Sequence, residues 1–294
     1  MLENLSTEKR NNNTMKMDEM SVLEILKTMN HEDKSVPEII EKELASIEEA
    51  VEKVIHSFKA QGRLIYIGAG TSGRLGILDA VECVPTFGVS PDQVVGLIAG
   101  GAEAIKLAIE GVEDQPQVGM EDLKAISLTA KDTVVGIAAS GRTPYVIGAL
   151  QYAKEVGANT VALSCNKQAE ISAYAETVIE IETDAEVLTG STRLKAGTAQ
   201  KLVLNMISTA AMIGVGKVYG NLMVDVQATN KKLVERSKRI IMDAAQVDYA
   251  TAEHFYTQAD GHVKTAIVMS LLDCTKEQAI EKLEKAGGFV RKAL

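Results

Sequence analysis

The chain has 294 residues, 46% of them apolar, and a net charge of -9 from 31 basic and 40 acidic residues. This length and apolar content suffice for one large core plus a small appendage, which excludes a mainly disordered protein. The acidic balance, together with the lack of any basic block, argues against nucleic acid and anionic membranes as partners.

Cysteine and histidine usage limits the possible chemistry further. Cys83, Cys165 and Cys274 are odd in number and form no C-x-x-C pair, so neither a disulfide framework nor a structural zinc site is expected. The four histidines are far apart, and their spacing matches neither a metal site nor a catalytic triad. Residues 1–20 lack the apolar core of a secretory signal, and the apolar segment 202–215 is too short for a membrane span. We therefore predict a cytoplasmic protein without a metal.

The N-terminal region contains an arm and then a helix. Residues 1–20 have no clear periodicity, although 6–11 are dense in hydrogen-bonding groups, and we interpret them as a solvated arm. From Ile40 to Phe58 the apolar residues step by three and four, and Gly62 follows. This pattern predicts an amphipathic helix that covers the sheet or a partner subunit.

Strands and helical patterns then alternate, which predicts a doubly wound, mainly parallel five-stranded sheet. The half-polar fifth strand is expected at an edge. The strands are predicted near 63–67, 94–99, 133–138, 160–164 and 177–181, a long helix at 198–218, and three short helices near 249–259, 262–273 and 275–286. The predicted segments are an N-terminal arm with helices at 1–62, a core domain at 63–247 and a small helical domain at 248–294.

The turn after the first strand is a candidate anion site. Its glycines allow a tight turn, and Thr71 and Ser72 put hydroxyls at the start of the next helix. Gly68-x-Gly70-x-x-Gly73 also has dinucleotide-binding spacing, but the second strand, 94–99, is not followed by the acidic residue that holds a ribose. The sequence therefore gives no support to a nucleotide cofactor, and we predict none.

A second hydroxyl-bearing turn of this kind follows the third strand, where Ser140, Gly141 and Thr143 precede a helix. Two hydroxyl-bearing turns side by side on one sheet edge converge on a small anion at a topological switch point. Each turn alone could be a simple helix cap. The stretch 186–201 is dense in hydroxyls and cations and precedes the long helix. It is either a third segment of the anion site or another capped helix start.

Four stretches together resemble the N-acetylmuramic acid 6-phosphate etherases of the sugar isomerase (SIS) superfamily: 68–88, 110–114, 140–144 and 186–201. The resemblance implies an SIS-type fold with flanking N-terminal helices, and a lyase that releases lactate from the C3 ether of a sugar phosphate. It also implies that Glu82 and Glu113 are the catalytic pair, Glu82 as acid and Glu113 as base. The residues then expected to bind the substrate and its phosphate are Thr71, Ser72, Gly73, Ser140, Gly141, Thr143, Glu186, Ser191, Thr192 and Lys195.

The position of Glu82 raises a geometric question. Nine residues of straight helix separate it from Gly73, a distance of about 14 Å at 1.5 Å per residue. Either Pro85 and Gly88 mark an early break of the helix, or a partner subunit closes the site. The second possibility fits the long N-terminal helix and predicts a homodimer with the site near the subunit interface.

Two other functions stay open at this point. A non-catalytic regulator resembling the glucokinase regulatory protein shares the 186–201 stretch, but such regulators carry two SIS domains and this chain has room for one. A sugar-phosphate isomerase is the other alternative. Isomerases of the superfamily often carry a Glu before a Leu-Lys-His-Gly turn, where this chain has Arg193 before Leu-Lys-Ala-Gly.

Overall fold

Five parallel strands form the sheet at the centre of the protein, as the doubly wound pattern predicted. They are β1 (Leu64–Gly68), β2 (Val94–Ile98), β3 (Thr133–Ala138), β4 (Asn159–Ser164) and β5 (Thr177–Glu180). Their order is β2-β1-β3-β4-β5, so β5 lies at an edge as expected, and β1 and β3 are neighbours. The chain therefore reverses its winding direction between β1 and β3, which is where sheets of this kind bind ligands.

The computed structural model describes residues 5–228 and 230–294. The part of the predicted arm at residues 1–4 lies outside them. Helices in the described residues are α1 (Val22–Asp33), α2 (Ser35–Glu41), α3 (Leu44–Lys59), α4 (Gly70–Phe87), α5 (Pro116–Ala125), α6 (Pro144–Val156), α7 (Lys195–Gly214), α8 (Lys231–Ala245), α9 (Tyr249–Gln258), α10 (Val263–Leu272), α11 (Lys276–Lys285) and α12 (Val290–Ala293). None of these helices combines the length and apolar composition that a membrane span requires.

The chain divides into two compact units. The first comprises the residues up to Ala80 together with Asp92–Ser208, and it contains the whole five-stranded sheet. The second comprises Val81–Pro91 and Thr209–Leu294. It holds α8 to α12 and a short antiparallel pair, β6 (Val218–Tyr219) and β7 (Leu222–Met223), around its own apolar cluster.

Side chains of the central strands alternate between the two faces of the sheet. On one face Ile65 and Ile67 join the apolar cluster formed with α5 and α6. On the other face Tyr66 lies under α4, where a Cβ on Gly76 would stand 2.8 Å from the Tyr66 Cβ. Glycine at this position therefore lets α4 approach the strand closely, and helices cover both faces of the sheet.

A buried polar network fixes α4 against α7 within the first unit. The Tyr66 hydroxyl donates to the Asp79 carboxylate at 2.9 Å, and the Ser208 hydroxyl donates to its other oxygen at 3.1 Å. Burial raises the pKa of Asp79 above its usual value, against the opposing effect of these hydrogen bonds. Because a buried network with satisfied partners is rigid, it sets the course of α4 as far as Asp79.

The interpretation of the N-terminal segment as a solvated arm is wrong for part of residues 5–11, whereas most of residues 12–20 are exposed. Ser6, Thr7 and Asn11 are buried, and Thr7 is fully so. The Asn166 side chain accepts from the Ser6 backbone N–H at 2.7 Å and donates to the Thr7 hydroxyl at 3.0 Å. The hydrogen-bonding groups concentrated in this segment therefore bind it to the loop after β4.

Candidate active site

A cavity of about 290 Å³ lies at the carboxyl ends of β1 and β3, inside the first unit. It sits at the switch point that the strand order creates. Its polar wall combines hydroxyls, carboxylates and one guanidinium: Glu8, Thr71, Ser72, Arg74, Glu110, Glu113, Ser140, Thr143 and Thr192. The structure thus brings six of the predicted site residues together, namely Thr71, Ser72, Glu113, Ser140, Thr143 and Thr192.

Hydroxyls at the two helix starts line the cavity, and among them the Ser72 hydroxyl donates to the side-chain oxygen of the buried Gln200 at 3.0 Å. Gly70 opens α4 with a positive φ of 53°, which a glycine adopts without strain, and it leads directly into Thr71 and Ser72. The Ser140 hydroxyl oxygen accepts from the Arg142 backbone N–H at 3.3 Å, so its own proton remains available to donate. Thr143 precedes α6 without capping it through its side chain. Short hydroxyls of this kind beside helix N-termini suit a phosphate.

Two predicted glycines lie behind this wall and have structural contacts. The Gly73 N–H donates to the Ala69 carbonyl at 3.2 Å, and a Cβ there would stand 2.6 Å from the Gly68 carbonyl oxygen. The Gly141 N–H donates to Ala138 at 3.0 Å, and its φ is 72°. Both glycines therefore shape the turns that present the hydroxyls, because their N–H groups already have acceptors inside the chain.

The segment 186–201, predicted as a third part of the anion site, contributes Thr192 to the cavity, while its charged residues lie elsewhere. The fully buried Glu186 carboxylate accepts from the backbone N–H groups of Lys195 and Ala196, both at 2.9 Å, and so caps α7. Burial raises the pKa of Glu186, against these two hydrogen bonds. The Lys195 ammonium is buried and pairs with Glu32 at 3.0 Å. Ser191 is half-buried and is not part of the cavity wall.

Glu113 is the predicted catalytic residue that reaches the cavity. It is half-buried, and its backbone carbonyl accepts from the Tyr145 N–H at 2.9 Å, in the first turn of α6. Glu110, on the same loop, also lines the wall. Glu113 is thus a carboxylate held by its backbone beside the candidate phosphate site, as a general base requires.

Glu82 is exposed on α4, in the part of that helix assigned to the second unit. The helix continues without interruption from Gly70 to Phe87, with Pro85 inside it. The idea of an early break of the helix at Pro85 is therefore wrong, and Glu82 is not among the residues of the cavity wall.

Sequence reasoning missed Glu8, Arg74 and Glu110 on the cavity wall. A signal existed for two of them. Glu8 belongs to the hydrogen-bonding cluster 6–11, and Arg74 to the Ser-Gly-Arg turn that occurs after two strands. The Arg74 guanidinium donates to the carbonyls of Ile105 and Leu107, at 3.1 and 2.9 Å. It therefore ties α4 to the loop that leads to Glu113.

Replacement of Arg74 by Ala is expected to loosen this loop. Losing two hydrogen bonds from a charged group should raise the amide exchange rates of residues 105–113 about tenfold or more, which hydrogen exchange with mass spectrometry measures. Lys106→Ala is the matched control, because Lys106 is an exposed cation on the same loop. Unchanged exchange in the Arg74→Ala protein would show that the guanidinium does not hold the loop.

No group of three or more His, Cys, Asp or Glu side chains in residues 5–228 and 230–294 is arranged to hold a metal ion. The hydroxyls of the wall are suited to binding an anion, and its carboxylates are suited to transferring protons.

Comparison with known proteins identifies the family. The model of the glucokinase regulatory protein N-terminal SIS domain matches residues 46–154, and the SIS domain model matches residues 109–210. Among curated proteins, the N-acetylmuramic acid 6-phosphate etherases of Geobacillus sp. (strain WCH70) and Bacillus cereus (strain G9842) are 66% and 65% identical to the chain. Both alignments cover 100% of each protein. The chain belongs to the N-acetylmuramic acid 6-phosphate etherase family.

A solved structure agrees with the fold of this etherase family member. The E. coli CFT073 protein c3406 superimposes with a TM-score of 0.51 and 18% identity, over 69% of this chain and 93% of that one. At this identity the likeness concerns the fold, and it corresponds to the SIS-type sheet described above.

Proposed function

We propose that the protein cleaves the C3 D-lactyl ether of N-acetylmuramic acid 6-phosphate, giving N-acetylglucosamine 6-phosphate and D-lactate. One observation carries the proposal: the full-length relatives at 65–66% identity are etherases of this name. The hydroxyl-lined cavity with Glu113 on its wall supports it, because the reaction needs a phosphate site next to a proton-transfer group. Incubation of the purified protein with this sugar phosphate and an assay for lactate tests the proposal.

The reaction requires two proton transfers at neighbouring carbons. Opening the sugar ring places C2 next to an aldehyde, which makes its hydrogen acidic. We assign Glu113 as the base that removes this proton and Glu82 as the acid that protonates the C3 ether oxygen as lactate leaves. Water then adds to C3 of the unsaturated aldehyde. The two steps need one ionised and one protonated carboxyl group, so the two glutamates must lie in different environments.

The 6-phosphate is assigned to the hydroxyl-lined end of the cavity. Ser72, Ser140, Thr143 and Thr192 line it, and the first turns of α4 and α6 add the positive ends of helix dipoles. The proposed partner is therefore a small-molecule sugar phosphate. The three cysteines Cys83, Cys165 and Cys274 are all free, which favours a reducing cytoplasmic location.

Removal of the phosphate from the substrate is expected to lower kcat/KM about 10³-fold, equivalent to about 4 kcal/mol of transition-state binding. Binding energy at this remote group holds the reacting carbons in position, so part of the loss should appear in kcat. Lactate release from N-acetylmuramic acid and from its 6-phosphate measures the difference. If the unphosphorylated sugar is turned over with equal efficiency, the assignment of the hydroxyls to phosphate binding fails.

A homodimer that completes the site is the proposed assembly. Glu82 is exposed on α4 and is absent from the cavity wall, so a second copy of the chain is a natural source of the acid. Val22 and Leu23 on α1 are 74% and 60% exposed, as is typical of residues that pack on a partner. Light scattering on the purified protein measures the mass of the assembly.

The two other candidate functions have less support. The match to the glucokinase regulatory protein model covers residues 46–154, whereas the etherase relatives align over the whole chain. The position of the isomerase base holds Arg193, whose side chain cannot accept a proton.

A further inference from the structure

Glu8 belongs to the wall of the cavity although it lies far from the other wall residues in sequence. It follows the two buried residues Ser6 and Thr7, which hydrogen bonds to Asn166 hold in place. The loop after β4, which carries Asn166, therefore holds the backbone next to Glu8 in place. The backbone that carries the Glu8 side chain at the cavity thus has a defined position before any ligand binds.

The Glu8 carboxylate is unpaired within the part of the chain that the structure describes. It makes no hydrogen bond or ion pair with any residue in 5–228 and 230–294, and it is half-buried at the cavity. A carboxylate repels a phosphate, and when ionised it can only accept hydrogen bonds. The group that Glu8 contacts must therefore be a hydrogen-bond donor on the substrate.

The neighbours of Glu8 indicate which part of the substrate it faces. Its Oε2 atom lies 3.2 Å from the position that a Cβ on Gly190 would occupy, two residues before Thr192. Thr192 is assigned to the 6-phosphate, and Glu113 to C2. In the cyclic sugar that enters the site, the amide N–H is on C2, the C3 oxygen is the ether and the C5 oxygen belongs to the ring. The donor next to the phosphate-bearing end of that form is therefore the C4 hydroxyl.

We propose that Glu8 is a substrate-binding residue that accepts a hydrogen bond from the C4 hydroxyl of the sugar phosphate, an inference that rests on the proposed function. The interaction selects a free hydroxyl at C4 over a substituted oxygen there, because a carboxylate next to an oxygen without a proton is left unpaired. Glu8 thus adds recognition of the sugar to a site in which the hydroxyl groups bind the phosphate.

The test measures kcat/KM of the parent, Glu8→Gln and Glu8→Ala proteins with the substrate and with its 4-deoxy analogue. A hydrogen bond to a charged group corresponds to a factor of about 10 to 100, so Glu8→Gln should lose about tenfold and Glu8→Ala about a hundredfold with the substrate. With the 4-deoxy sugar the three proteins should be nearly equal. Lys9→Ala, an exposed change on the same segment, should match the parent throughout.

Equal losses for both sugars, or parent-like kinetics of both Glu8 variants, would overturn the inference. Thermal unfolding of each variant shows whether a general loss of structure causes such equal losses. A parent protein that releases no lactate from either sugar contradicts the proposed function instead. Calorimetric binding of the two sugars to the parent and Glu8→Gln proteins then decides the role of Glu8 independently of turnover, because only a bound C4 hydroxyl makes their affinities differ.

Discussion

Replacement of Glu113 by Gln is expected to suppress both lactate release and exchange of the C2 hydrogen with solvent. The amide has nearly the shape of the carboxyl group but cannot take a proton, so the first step of the elimination is lost. The loss of a general base corresponds to about 10² to 10⁴ in rate. Lactate release measures the overall reaction, and deuterium incorporation at C2 in heavy water measures the first step alone.

The neighbouring Asp114 provides the control for Glu113. It is absent from the cavity wall, so Asp114→Asn should keep both activities. A Glu113→Gln protein that exchanges the C2 hydrogen as fast as the parent would contradict the assignment of the base. Reduced exchange in Asp114→Asn as well would mean that the loop, and not the one carboxylate, is responsible.

Replacement of Glu82 by Ala should separate the two steps. Without the acid, lactate must leave C3 of the sugar as an alkoxide, which is a poor leaving group, so lactate release should fall by about 10² to 10⁴ or more. The base is intact, and exchange of the C2 hydrogen should persist. A Glu82→Ala protein that releases lactate at near the parent rate would disprove the role of Glu82.

Mixing the Glu82→Ala and Glu113→Gln proteins tests where the acid comes from. If each site takes Glu82 from one copy and Glu113 from the other, mixed dimers contain one site with both carboxyl groups. Lactate release should then reappear after the two inactive proteins exchange subunits. If the mixture stays inactive although subunit exchange is demonstrated, both groups come from the same chain.

The sheet and the hydroxyl-bearing turns at its edge were predictable because their signals are local. Buried strands of four to six apolar residues, such as 133–138, end directly in hydroxyl-bearing turns. Parallel strands bring their carboxyl ends to one edge, so Ser72 and Ser140 were expected together, and both line the cavity. The charged helix α8 was missed, although its residues 231–245 form an amphipathic pattern, as was the short α12.

Contacts between distant parts of the chain were not predictable. The density of hydrogen-bonding groups in 6–11 is a signal that this segment is bound, but it does not identify Asn166, 160 residues later, as the partner, and it does not place Glu8 at the cavity. Lys195 resembled a free cation for a phosphate, but Glu32, 163 residues away, neutralises it. Buried charges need partners, and tertiary structure alone decides which partners they find.

The most direct measurement of the central claim is turnover of N-acetylmuramic acid 6-phosphate in water enriched in oxygen-18. Elimination followed by addition of water breaks the bond between C3 and the ether oxygen, so we expect one labelled oxygen at C3 of N-acetylglucosamine 6-phosphate and unlabelled lactate. Label in the lactate, with none at C3, would mean cleavage on the lactyl side. Either that result or the absence of lactate would contradict the account.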